Sequence, residues 1–520
     1  MPYAGIQTDE ALFASAIYQP RSPELSVTVF KRKVPVMVMS YLGSLKALLY
    51  SVLFGLWPPS IASVRIPVIL AGALTVWLFY KLLANTLGLR AAVAGALLLA
   101  TDTTFLLTTT FDWGPVALQH LLLLAGLVLL IRFHRTRDRR ALAGAFLLFG
   151  LGLWDKAIFF WMLSALAVAA MLVFRREVLG ALSTRHLIIA LAALMLGAAP
   201  LITYNLRRQG ATFRNASYDV SDLSGKARLL KSSLEGSSLF GYLTREDDGR
   251  TREEPQTLIE RFSVLVSDAA RRPRTNWLIP AVAICTLLVP LWWRTPARRA
   301  ILLALTAASV AWAEMAVTRD AGGSTHHVVL LWPMPHLIAA AALGEVSRQL
   351  RRAGLWLLAA ALALVAGRNL LVTNEHLAEF IRHGAGPMWT EAVQPLAERL
   401  RQAGAPRVVV TDWGLLDSLR LLGRGRLPLY QAIDLASKES LGQDEQAALA
   451  WLLASPDNLY VGHTRENEAV SGSGDRLARH AAQAGHRKQV LWVVHDRHHR
   501  PVFEIFCFRP TSAPNPPSSR

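Results

Sequence analysis

Ten apolar stretches dominate this sequence and restrict what it can fold into. They lie near 62–86, 91–109, 114–131, 140–153, 157–174, 186–204, 276–293, 300–317, 327–346 and 354–373. About twenty consecutive apolar residues carry a helix across a hydrocarbon core, and backbone in lipid must satisfy its own hydrogen bonds. The pair at 140–174 is the weakest, because GLWDKAIFF interrupts it and its first half is short. With 52% hydrophobic residues over 520 positions, the chain lies outside ordinary soluble composition. The expected fold class is a polytopic α-helical membrane protein of about 10–11 spans, followed by a C-terminal extracytoplasmic α/β domain.

The formal net charge of +18 suggests nucleic acid until the positions are read. Arginines gather in alternate short loops: Arg132, Arg135, Arg137, Arg139 and Arg140; Arg175, Arg176 and Arg185; Arg294, Arg298 and Arg299; Arg348, Arg351 and Arg352. The short loops between them are nearly free of basic residues. That is the positive-inside pattern, which assigns the arginine loops to the cytoplasm. Nucleic-acid binding would need a basic face on a soluble module, so no nucleic-acid partner is expected. The tips at 110–114 and 318–326, the loop at 206–275 and the region after 374 then face outside. The expected location is the cytoplasmic (inner) membrane. Two cysteines, Cys285 and Cys507, are too few for a disulfide framework or a cysteine-based zinc site.

The expected organisation is a first external loop with interfacial helices (1–61), the spans (62–373), a soluble α/β domain (374–509) and a disordered tail (510–520). The stretch 34–58 is long enough to span, but Lys46 sits at its middle, where charge is expensive. It is expected to lie in the interface as a helix. Beyond 374, MWTEAVQPLAERLRQAGAPRVVVTDWG reads as an amphipathic helix, a turn and a short buried strand. NLYVGHT reads as another strand, and QVLWVVHD with PVFEIFCF as a hairpin.

Four external features converge at one membrane face: the acidic pair Asp9–Glu10, the cations Lys31, Arg32 and Lys33, the carboxylate Asp112, and the imidazoles His326 and His327. Cations hold phosphate, and a carboxylate takes a proton from an attacking hydroxyl. Each feature has an ordinary reading too. An acidic pair near a terminus is usually solvated, and a basic cluster before an apolar helix anchors it. Asp112 suits a helix cap, a histidine pair is often structural, and Lys156 is placed to pair with Asp155.

The order of motifs resembles that of the GT-C membrane glycosyltransferases of family 39, which includes the protein O-mannosyltransferases and the lipid A aminoarabinose transferases. DEALFA followed by a basic residue and Pro is similar to their first external loop. PPSIASVRIPVILAGALTVWLFYKLL resembles their Arg-containing second helix, LLLATDTTFLLTTTFDWGPVALQHLLL the following helix pair, and GLGLWDKAIFF their lysine segment. The resemblance covers roughly 1–375. It implies an inverting transfer of a sugar from a polyprenyl-phosphate donor to an unidentified acceptor at the outer face of the membrane. Membrane lipids, that donor and its acceptor are the implied partners. On this resemblance Asp9 is the base or orients the acceptor, Glu10 is its partner and Asp112 is the second external acid. Lys33, with Lys31 and Arg32, falls where the donor phosphate is held. His326 and His327 match a variable late loop, as contacts to substrate or a divalent metal; no ligand spacing declares the metal. The resemblance also implies a spanning helix ahead of the acidic pair, where eight residues stand here. The alternative function is an envelope transporter or flippase. That reading expects ionisable residues at mid-membrane and two related halves, whereas most charges here lie at loop tips and no internal repeat is seen.

Overall fold

The computed structural model describes residues 3–18, 24–29, 31–181, 183–214, 217–246 and 254–511, excluding the side chain of Arg32. The tail from 512 lies outside the described residues. The chain opens with helix α1 (Thr8–Ser15) and a three-stranded antiparallel sheet of β1 (Leu25–Val29), β2 (Arg32–Met39) and β3 (Leu42–Gly43). Helices α2 (Leu45–Leu56) and α3 (Ile61–Thr86) follow, then α4 (Leu89–Thr101), α5 (Thr103–Thr108), α6 (Val116–Thr136) and α7 (Arg139–Asp155). The bent pairs α8 (Phe159–Val173) with α9 (Arg175–Ala181), and α10 (Thr184–Gly197) with α11 (Ala199–Arg207), come next.

The 206–275 loop carries α12 (Ala211–Arg214), α13 (Leu223–Leu234) and α14 (Leu258–Ala269). After α15 (Leu278–Leu287) and α16 (Val289–Trp292), the membrane part closes with α17 (Ala297–Val317), α18 (Thr325–Val328), α19 (Met334–Gln349) and α20 (Arg351–His383). All ten apolar stretches are therefore helical. Among the described residues, five helices are long and apolar enough to cross a membrane, or up to seven if each bent pair is one span.

Three expectations need correction. The stretch 34–58 is not one interfacial helix: its first part forms β2 and β3, and only α2 is helical. Alternating Val34, Val36 and Val38 suit a pleated strand, whose other face buries Pro35 and Met37. The span at 91–109 breaks at Asp102, whose carboxylate caps α5 by accepting from Phe105 N (2.7 Å) and also accepts from Trp332 Nε1 (2.9 Å). The soluble domain does not begin at 374, because α20 runs on to His383. Its last turns are polar yet buried, with Arg382 reaching Asp268 at 2.8 Å and Ser267 at 2.9 Å on α14. Paired polar groups let a helix outlast its apolar run.

The C-terminal domain starts with α21 (Val393–Ala403), β4 (Val408–Val410), α22 (Leu416–Leu422), β5 (Leu429–Gln431) and α23 (Ile433–Ser437). It ends with α24 (Gln443–Leu453), β6 (Leu459–His463), α25 (Ser473–Gln483) and the hairpin β7 (His486–His495) and β8 (Pro501–Pro510). The five-stranded sheet has the order β5-β4-β6-β8-β7, parallel at β4 with β5 and β6 and antiparallel from β6 onward. Two cores cover its faces. One contains Leu396, Leu419 and Ile505, the other Leu452, Tyr460 and Phe506. Strand β5, too short to show a period in the sequence, is the one added element of this sheet.

Candidate active site

Helix α1 presents the acidic pair in two directions. Gln7 caps the helix, accepting from Asp9 N at 2.6 Å, and Glu10 returns the favour by accepting from Gln7 N at 3.3 Å. Both acids sit in the first turn, where the helix dipole favours negative charge. Glu10 turns inward and is fully buried. It receives Arg65 Nε at 2.9 Å and Nη2 at 2.8 Å, while Arg65 also donates to the carbonyls of Ala4 and Gly5 at 2.9 and 2.6 Å. The guanidinium lies over the Phe111 ring, 4.7 Å from its centroid. Glu10 is thus committed to fixing the loop to the start of α3, and its predicted chemical role becomes a positioning one.

Asp9 faces the other way and is only partly buried. It accepts from Trp113 Nε1 at 3.0 Å. Burial and the nearby Asp417 charge raise its carboxyl above the usual carboxylate range, against the opposing pull of Lys156, Trp113 and Lys46. Trp113 is stacked on Tyr242 (4.2 Å between centroids) and meets His326 edge-on (4.7 Å). Gly114, at φ +83°, must be glycine here, since a Cβ would stand 2.7 Å from the His326 ring. His326 in turn bonds Ser324 Oγ at 2.8 Å and packs against His327, 4.2 Å away.

Asp112, buried beside Trp113, forms an ion pair with Lys46 of α2. Lys46 is also within electrostatic reach of Glu10, Asp155 and Asp9, and Lys156 of Asp9 and Asp155. The structure therefore gathers Asp9, Asp112, His326 and His327, as the sequence leads one to expect, and adds Lys46, Asp155 and Lys156. In the sequence, Lys46 and Lys156 stand out only as charges within apolar segments. Such charges need partners, and the partners here come from distant parts of the chain.

Lys31 and Lys33 are not brought to this cluster. Both are exposed on the β1–β2 hairpin, Lys31 at its tip with φ +65°. No hydrogen bond or ion pair among the described residues joins either to Asp9 or Asp112, and the side chain of Arg32 lies outside the described residues. The positive charge beside the carboxylates comes from Lys46 and Lys156 instead. For a divalent metal, the described residues contain no group of three or more His, Cys, Asp or Glu side chains that would hold one.

The C-terminal domain reaches the same loop. Ser418 Oγ donates to Ile6 O at 2.9 Å, Gly5 N donates to Trp389 O at 2.7 Å, and Thr8 Oγ1 donates to Gly414 O. Ile6, Ala11 and Ala14 share a core with Leu421 of α22. A Cβ on Gly5 would lie 2.0 Å from Thr390 O. Sequence reasoning had no means to see this brace, because it joins the two ends of the chain.

Residues 45–204 match the family model described as dolichyl-phosphate-mannose-protein mannosyltransferase. No curated protein matches the sequence. Over 97% of this chain and 94% of the other, the fold superposes on the apo crystal structure of ArnT from Cupriavidus metallidurans, with a TM-score of 0.58 at 13% identity. The ArnT structure with undecaprenyl phosphate matches over 97% and 93%, with a TM-score of 0.53 at 13% identity. The apo oligosaccharyltransferase of Archaeoglobus fulgidus is a weaker likeness, with a TM-score of 0.48 at 11% identity over 89% of this chain and 66% of that one. The chain is a multi-pass membrane protein with the GT-C glycosyltransferase fold.

Proposed function

We propose that this protein transfers a hexosyl or pentosyl unit from a polyprenyl-phosphate donor to a lipid, glycan or protein acceptor at the outer face of the cytoplasmic membrane. The observation that carries the reading is the placement of Asp9, partly open, beside a buried group of two ammonium side chains, Lys46 and Lys156. The matched family and the ArnT structure with its polyprenyl phosphate supply the donor class.

The acceptor hydroxyl attacks the anomeric carbon from the face opposite the phosphate. Its oxygen forms the new bond, the bond from that carbon to the phosphate oxygen breaks, and the configuration inverts. Asp9 takes the hydroxyl proton. The electron pair leaves with the polyprenyl phosphate, whose charge Lys46 and Lys156 stabilise. Asp112 holds Lys46 in place, and Trp113 orients Asp9. In this reading the two ammonium groups supply positive charge for the leaving phosphate. The transporter reading is not favoured: the charges collect around one loop, and the matched family and fold are those of transferases.

The test is release of free polyprenyl phosphate from a labelled polyprenyl-phosphate hexose or pentose by the purified protein, wild type against Asp9→Asn. Release that disappears in the variant supports the reading. Equal release by both removes Asp9 from the chemistry, and no release across several sugars and acceptors overturns the transferase reading.

A further inference from the structure

At the end of the helix bundle opposite Asp9, a groove of about 420 Å³ opens between α3 and α6. Arg65, near the Asp9 loop, and Lys81, in the groove, are sixteen residues apart on α3, about 24 Å along the axis at 1.5 Å per residue. The two sites are thus separated by nearly the depth of a hydrocarbon core. Trp77, Lys81, Val128, Ile131, Arg132 and Arg135 line the groove, which no carboxylate lines.

Three cations therefore converge from two helices on one apolar hollow. Arg132 is exposed and contacts Asp138 at 3.2 Å, outside the groove. Arg135 Nη1 reaches Asn85 Oδ1 at 3.3 Å, and its other nitrogen donates to Asn85 O. Lys81 rests its ammonium over the Trp77 ring, 5.3 Å from the centroid. All three are exposed, and they border a cavity with an aromatic wall.

From that wall an exposed apolar stripe runs back along α3. Ile66, Leu70, Leu74 and Trp77 are all exposed and follow one another at helical spacing. A cationic hollow continuous with an apolar lane matches a molecule with an anionic head and a hydrocarbon tail. Basic pockets between membrane helices take phosphate headgroups on this principle. We propose that this groove binds an anionic phospholipid, its headgroup phosphate between Lys81 and Arg132 and an acyl chain along Trp77, Leu74 and Leu70.

The experiment reads lipid retention, not transferase activity. Full-length protein is placed in nanodiscs with equal phosphatidylglycerol and phosphatidylcholine of identical chains, then released for native mass spectrometry. Phosphatidylglycerol is expected to dominate the retained adducts. In the double variant Lys81→Gln/Arg132→Gln its apparent affinity should fall about 25-fold, from about fivefold per removed cation, with phosphatidylcholine unaffected. Trp77→Ala should weaken it as well. Equal retention of the two lipids by the wild type, or an unchanged adduct in the double variant, overturns the proposal. If the double variant is not recovered folded, Lys81→Gln alone should cost about fivefold. The wild-type adduct must then also dissociate as salt is raised, and a salt-insensitive adduct overturns the proposal equally.

Discussion

Glu10 and Arg65 form a two-point ion pair, fully buried, between the first helix and the first long membrane helix. The same guanidinium also donates to the carbonyls of Ala4 and Gly5 in the N-terminal loop. The pair therefore acts as a rivet: it sets where α1 begins, and with it the direction in which the neighbouring Asp9 points.

Removing either half of the rivet leaves a buried charge alone. Glu10→Ala and Arg65→Ala should each lower stability by about 3–5 kcal/mol, the cost of breaking a buried pair, read as a depressed unfolding temperature in detergent. The double variant Glu10→Gln/Arg65→Met should recover part of that loss. It should keep more activity than Asp9→Asn, since Glu10 is fully buried against Arg65.

Asp9→Asn should behave in the opposite manner. The carboxamide keeps the Trp113 bond through its oxygen, and burial already disfavours the charged carboxylate. The unfolding temperature should hold or rise, while turnover falls by roughly 10²–10⁴, the range for a lost general base. Parallel measurement of kcat and Tm checks both halves.

The Lys46–Asp112 pair separates charge neutralisation from phosphate binding. Lys46→Met alone strands Asp112 and should lower both stability and activity. Adding Asp112→Asn should restore much of the unfolding temperature. If Lys46 also meets the donor phosphate, activity stays low in the double variant; recovery of activity would reduce Lys46 to a partner of Asp112.

The pH profile follows from the position of Asp9. Asp9 accepts a proton only when ionised, and burial with the Asp417 charge holds its carboxyl above the usual range. Activity should therefore fall as pH drops through that raised value. Asp417→Asn removes a negative charge that resists ionisation, so the acid limb of kcat/KM should move to lower pH. An upward move would contradict the arrangement.

The brace from the C-terminal domain predicts an effect at a distance from the chemistry. Gly5→Ala places a methyl group against Thr390 O, so either the loop or the domain must shift. Displacements of about 1 Å cost on the order of 10²-fold in rate, and kcat should drop by about that factor while donor KM changes little. A rise in acceptor KM alone, with kcat unchanged, would point to acceptor selection by the domain.

Much of the architecture is legible without coordinates. Apolar runs of spanning length become helices because a chain in lipid has few other ways to bond its backbone, and all ten do so here. Short runs of β-branched and aromatic residues likewise mark β4, β6 and the β7–β8 hairpin. Asp9, Asp112 and His326 stand out because charged or polar groups at the ends of apolar helices are costly to leave unused. Local pattern misleads where a distant partner changes the cost. Asp102 interrupts an apolar run because Trp332 and His336 lie beside it. The 354–373 span continues to His383 because Arg382 finds Ser267 and Asp268.

The sequence by itself determined a basic, many-helix membrane chain, the helical character of its ten apolar stretches, its C-terminal sheet and the candidate acids. Those properties follow from composition and periodicity within short windows. Only the tertiary structure decided that Glu10 is a rivet while Asp9 turns to Trp113. It also decided that Lys46 and Lys156, rather than Lys31 and Lys33, stand beside the carboxylates, and that residues 389–421 clamp residues 5–14. Each of those outcomes is a pairing of charges or backbone groups far apart in the chain. Burial makes an unpaired group expensive but does not say which distant residue will pair with it.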